Sequence, residues 1–131
     1  MASIRREISI DAPADRVWSA YRDVGAVHTK LAKGFVTDCR LEDGARVVTF
    51  ANGFVARELL VDVDDAHRRL AYSARADRIV HHHASFEVIA EGEARTRVIW
   101  VADVLPNEMA APIAAMMDQG SAAMKRTLES A

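Results

Sequence analysis

Apolar and polar positions alternate through residues 3–10, where Ile4, Ile8 and Ile10 stand among polar neighbours, and this period of two predicts a first β-strand. Asp11-Ala12-Pro13 then supplies a capping side chain and a proline suited to a first helical turn. Val17, Trp18, Tyr21 and Val24 follow as one helical stripe, and Gly25 interrupts it before Val27, His28 and Leu31 resume, so two short helices meeting at Gly25 are expected. From Phe35 to Val104 the alternation returns over six segments, near 35–41, 45–51, 54–62, 68–75, 81–90 and 95–104. Turns at Asp43-Gly44, Asn52-Gly53, Asp64-Asp65, Ala76-Asp77 and Glu91-Gly92 separate them. Connections this short force antiparallel neighbours and exclude a doubly wound nucleotide-binding sheet, whose parallel strands need crossover helices. After Pro106 the period becomes helical, with an inner stripe of Ile113, Met116, Met117, Gly120, Met124 and Leu128. Pro112 falls within that stretch and is expected either to begin the helix or to kink it. The pattern is therefore α+β: a seven-stranded curved antiparallel sheet around a long C-terminal helix, with two short helices between the first two strands.

An antiparallel sheet hides one face, and the helix that must cover it here is slender. Between Met109 and Met124 it carries six alanines, four methionines and one glycine, where a helix plugging a tight core brings several Leu, Ile or Phe side chains. Such a helix leaves space above the sheet, and methionine adapts to whatever fills that space. Strand alternation shows which side chains face it. Arg69 and Arg75 mark the outside of their strand, so Leu70, Tyr72 and Ala74 point in; Glu87 leaves His82, Ala84, Phe86 and Val88 inside; Arg97 and Asp103 leave Val98, Trp100, Ala102 and Val104 inside. Tyr72, His82 and Trp100 each carry a polar atom that requires a partner once buried. On the strand after Asn52-Gly53, a two-residue turn groups Glu58 with Val47, Thr49 and Ala56, and Arg57 with Val48, Phe50 and Leu59. Periodicity leaves open whether the carboxylate or the guanidinium faces inward.

Composition narrows the classes of function. With 131 residues, half of them hydrophobic, the chain is expected to form one domain over residues 1–131 with a core that stands without disulfides or metal. Seventeen basic and nineteen acidic residues give a formal charge of −2 and no basic run, so nucleic acid is not an expected partner. The most apolar stretch, Met109 to Met117, is too short to span a bilayer, and no signal-type segment opens the chain, so membrane insertion is not expected and a cytoplasmic location is. Cys39 is the single cysteine and reads as strand packing. His81 and His83 share a strand face that points to solvent, and Asp62, Asp64 and Asp65 lack the glycine and distal glutamate of a calcium loop, so neither metal nor other cofactor is expected.

The series Ala12-Pro13-Ala14-Asp15-Arg16-Val17-Trp18, Asp43-Gly44-Ala45-Arg46 leading to Glu58 through Asp65, Arg69-Leu70-Ala71-Tyr72-Ser73, and Trp100 through Asp103 to Pro106 resembles the START-like or Bet v 1-like (SRPBCC) superfamily. Within it, the chain resembles the polyketide cyclase/dehydrase-like branch, over nearly the full length. The resemblance implies a helix-grip fold with an internal ligand cavity. It also implies that Glu58, rather than Arg57, faces that cavity together with Tyr72. The expected ligand-binding set is Glu58, Tyr72, His82, Trp100, Phe86, Met117 and Gly120, receiving a small hydrophobic or aromatic molecule in a monomer or homodimer. A second reading makes the protein a cyclase or dehydratase, with Glu58 and His82 as catalytic candidates exchanging a proton with an activated methylene. A third treats the cavity as vestigial and the sheet or the Val24 to Phe35 region as a partner interface.

Overall fold

The computed structural model describes residues 2–131. Strand β1 spans Ala2–Ile10 and helix α1 Ala14–Arg22; a five-residue π-helical turn at Val27–Leu31 replaces the second short helix expected after Gly25. Strands β2 (Val36–Glu42), β3 (Ala45–Phe50), β4 (Val55–Asp64), β5 (Arg69–Arg75), β6 (His81–Ala90) and β7 (Thr96–Leu105) follow, each within two residues of its expected bounds. A 3-10 turn at Asn107–Met109 leads into α2, Ala110–Ser130. The strands form one antiparallel sheet in the order β1-β7-β6-β5-β4-β3-β2, the helix-grip arrangement. Among the described residues no helix is long and apolar enough to cross a membrane.

Pro112 neither begins α2 nor kinks it. It is the third residue of the helix, inside the first turn, where a backbone N–H has no intrahelical acceptor to lose. The stripe that α2 buries consists of Met117, Gly120, Ala123, Met124, Thr127 and Leu128, an i, i+3, i+4 pattern laid over the concave side of the sheet. Beneath it lie Phe86, Val98, Trp100, Ala102 and Val104 from β6 and β7.

Gly120 has a packing duty. A Cβ at this position would stand 3.1 Å from a Phe35 ring carbon and 3.2 Å from the Trp100 indole, so the missing side chain is what lets both rings approach the helix. Two aromatic rings thus occupy much of the room that the thin helix leaves. Gly120→Val is expected to lower stability by about 1–3 kcal/mol through overpacking, outweighing its better helix propensity. Urea denaturation would show it, and an unchanged midpoint would mean that α2 rides over this contact without strain.

The two β-turns that organise β2 to β4 differ in a way that matters for the site. Asp43 and Gly44 both have positive φ, 28° and 76°, and join Glu42 to Ala45 as a two-residue type I′ hairpin. The Asn52-Gly53 turn has a three-residue loop. Phe50 N–H donates to Phe54 O at 2.8 Å, Gly53 takes the left-handed conformation at φ 88°, and Asn52 Oδ1 accepts the Phe54 amide at 2.9 Å. The extra residue moves the register by one, pairing Arg46 with Glu58 and Val48 with Ala56.

Candidate functional site

A cavity of about 100 Å³ lies between α2, the Val27–Val36 segment and the concave face of β3 to β7. Six of its lining residues keep partial exposure and form its mouth: Phe35, Phe50 and Phe54, then Ile79 from the β5–β6 loop, and Ile113 and Met116 from the start of α2. The three phenylalanine rings line one side of that mouth, Phe35 edge-on to Phe50 at 5.2 Å and Phe50 tilted against Phe54 at 6.0 Å between centroids. Deeper in, Phe86 stacks on Trp100 at 4.6 Å and on Tyr72 at 5.8 Å, making an aromatic floor. Met117 and Met124 close the space from the helix.

One end of the cavity is polar. Arg46 Nε donates to Glu58 Oε1 at 2.7 Å, and the two residues are 3% and 8% exposed. A one-residue shift of register turns every side chain of a strand to the other face, so the three-residue hairpin loop removes Val47 and Thr49 from Glu58's face and puts Arg46 and Val48 there. The question left open by periodicity thus has a third answer: carboxylate and guanidinium both enter, and the guanidinium belongs to Arg46 rather than Arg57. Arg46 also donates to Val24 O at 3.4 Å and places its guanidinium carbon 5.6 Å from the centre of the Tyr72 ring.

Tyr72 and Trp100 satisfy each other in part, the indole N–H donating to the phenol oxygen at 3.1 Å. Burial pushes the Tyr72 hydroxyl well above the ordinary tyrosine value, so it stays protonated. His82 sits where β5 and β6 part company. Their ladder ends at Tyr72 opposite Ala84, and beyond it the Ala74 amide donates to His82 Nδ1 at 3.0 Å while Ser73 Oγ donates to the His82 carbonyl at 2.5 Å. A side chain stands in for a strand carbonyl here. Burial, reinforced by His83, His81 and Arg75, lowers the imidazole to about 4. It is therefore neutral near physiological pH, and because Nδ1 accepts, the proton resides on Nε2.

Of the residues read from sequence, Glu58, Tyr72, His82, Phe86, Trp100 and Met117 all line the cavity. Gly120 does not; it lies against the Trp100 and Phe35 rings, which do line the cavity, and serves their packing. Glu58 and His82 share the cavity without a hydrogen bond between them, since each is held by another group, Arg46 and the Ala74 amide. Arg46 is the residue that sequence reading missed. Its signal was the Asp43-Gly44-Ala45-Arg46 run, in which a correct loop length for the following hairpin would have turned it inward. Cys39 is half-buried on β2, its thiol directed to Val24 O at 3.5 Å and raised in pKa by burial. Among the described residues no cluster of three His, Cys, Asp or Glu side chains is placed to hold a metal ion.

A family model described as polyketide cyclase / dehydrase and lipid transport matches residues 1–129. No curated protein sequence matches the chain. Among solved structures, the fold is similar to a protein of Bacillus thuringiensis with a TM-score of 0.84 at 16% identity, over 97% of this chain and 98% of that one. It is also similar to the di-domain ARO/CYC BexL of the BE-7585A biosynthetic pathway, with a TM-score of 0.76 and 19% identity over 98% of this chain and 47% of that one. A third likeness is to norcoclaurine synthase from Thalictrum flavum in complex with dopamine and hydroxybenzaldehyde, with a TM-score of 0.64 and 22% identity over 92% and 84% of the two chains.

Proposed function

Because the chain belongs to the polyketide cyclase / dehydrase and lipid transport family, within the START/Bet v 1 superfamily, we propose that it binds a small, flat, largely apolar molecule in the cavity under α2. The observation that carries this reading is the cavity's lining: an aromatic floor of Phe86, Trp100 and Tyr72, methionines opposite, and full charges only on Arg46 and Glu58, which neutralise each other. The likeness to a protein whose structure holds dopamine and hydroxybenzaldehyde supports an aromatic ligand. Size sets a further condition. A cavity of about 100 Å³ is smaller than the roughly 150 Å³ that holds a benzene, so a larger ligand enters only when Met116, Met117 and Ile113 move aside.

The catalytic reading receives less support from the site. Taking a proton from an activated methylene requires a free base, whereas Glu58 Oε1 accepts from Arg46 and the basic nitrogen of His82, Nδ1, accepts from the Ala74 amide. Binding predicts that flat aromatic probes raise the melting temperature. A probe at a hundredfold excess over its Kd should add roughly 2.7 kcal/mol, a shift of several degrees for a chain of this size. Native mass spectrometry of protein purified from its source is the complementary measurement, expected to show a bound small molecule. A protein that carries none, and whose melting no aromatic or acyl probe alters, would return the choice to the partner-interface reading.

A further inference from the structure

The hydrogen bonds around the cavity also indicate its ligand's head group, an inference that rests on the binding reading above. Trp100 gives its N–H to Tyr72 at 3.1 Å, and no acceptor among the described residues takes the Tyr72 hydroxyl's own proton. His82 accepts at Nδ1 from Ala74, so its remaining proton is on Nε2, and no acceptor among the described residues takes that one either. Two neutral donors thus lack acceptors, on rings whose centres are 5.6 Å apart. Arg46 and Glu58 hold each other at 2.7 Å, which leaves the lining without net charge.

We infer that the cavity selects a ligand with a neutral carbonyl oxygen as its head group, accepting from Tyr72 Oη–H and His82 Nε2–H, and disfavours carboxylates in spite of Arg46. A carbonyl oxygen brings two lone pairs and no donor, so it satisfies both groups and adds no unmet demand. A hydroxyl head group introduces a further donor that needs a partner. A carboxylate adds a second negative charge beside Glu58, where the only cation among the described lining residues is already paired, in surroundings that screen charge poorly. An ammonium group meets the mirror-image problem, because the one anion is held by Arg46.

The test uses three probes of similar size at neutral pH: acetophenone, isopropenylbenzene, in which a CH2 group replaces the oxygen, and benzoate. Titration calorimetry gives the affinities, and infrared difference spectroscopy reads the carbonyl stretch of bound acetophenone. Acetophenone is expected to bind saturably with its stretch shifted below the value in hexane, and benzoate to bind most weakly. His82→Asn, whose shorter amide keeps an acceptor for the Ala74 N–H and withdraws the donor from the Nε2 position, is expected to weaken acetophenone about two- to tenfold. The hydrocarbon should stay within about twofold, because it made no such bond. A bound stretch at the hexane value, benzoate as the tightest probe, or ketone affinity unchanged in His82→Asn overturns the head-group inference while leaving a ligand site in place. Should His82→Asn not fold, the infrared shift on the unaltered protein decides alone. No saturable binding by any of the three overturns the binding reading itself.

Discussion

Replacing Arg46 by methionine is expected to destabilise the protein by about 3–5 kcal/mol, one of the largest losses any single substitution in this chain should produce. The reason lies in what remains behind. Glu58 is 8% exposed and Arg46 Nε is its hydrogen-bond donor at 2.7 Å, so removing the guanidinium leaves a carboxylate in an apolar cavity without its partner. The same substitution removes the bond to Val24 O, which ties β3 to the segment leading into the π-helical turn. Replacing both partners should cost far less. In Arg46→Met/Glu58→Met no charge is buried, and methionine fills comparable volume, so most of the stability lost in the single variant returns. Guanidinium denaturation of the wild type, both single variants and the double variant measures this coupling directly. If Arg46→Met lost less than about 1 kcal/mol, the pair would be behaving like a solvent-screened surface bridge, and the neutral polar end argued for the cavity would not hold.

That coupling also marks where sequence legibility ended. The fold followed from signals that act locally. Alternation fixed which residues of β5, β6 and β7 face inward, and Tyr72, His82 and Trp100 are all buried on the concave side. The Asp43-Gly44 turn was legible because two consecutive residues able to adopt positive φ specify a two-residue loop. Asn52-Gly53 gives the same signal in letters and a different loop in space. Ala51 joins it, only Gly53 is left-handed, and one residue of difference exchanges the two faces of β3. Nothing in the period of two distinguishes these loops, which is why the guanidinium partner of Glu58 was invisible beforehand.

The helix was harder for another reason. Its small residues do imply space, and a cavity is there, but sequence periodicity says nothing about which side chains from the opposite layer move into that space. Trp100 and Phe35 advance to Gly120 and leave about 100 Å³. The polar partners of His82 were equally out of reach, since they arise where β5 and β6 cease to pair, and a period of two does not tell where a ladder ends. Candidate residues were thus readable one at a time, and their bonds to one another were not.

His82 should give the protein an acid limb that begins well above the range where carboxylates titrate. In the folded chain its imidazole titrates near 4, against 6.5 when unperturbed. Between those values the unfolded chain binds a proton that the native state does not, so stability falls as pH drops from about 6.5, with the full loss reached below about 4. Above 6.5 both states are neutral at this site and the contribution is constant. The difference corresponds to about 3 kcal/mol at most, an order-of-magnitude figure from the separation of the two values. Burial is the largest cause, and His83 and His81 on β6 with Arg75 on β5 act in the same direction, against Asp103 on β7. Protonation would also remove the acceptor that Nδ1 offers to Ala74, so charging the ring and opening the junction of β5 and β6 are one event. Urea midpoints measured from neutral pH down to about pH 4.5 should decline for the wild type and stay nearly level for His82→Asn, whose amide keeps an acceptor and does not titrate. Parallel curves for the two proteins would show that the imidazole is solvated enough to titrate normally, and with it would go the fixed Nε2 proton on which recognition of a carbonyl depends.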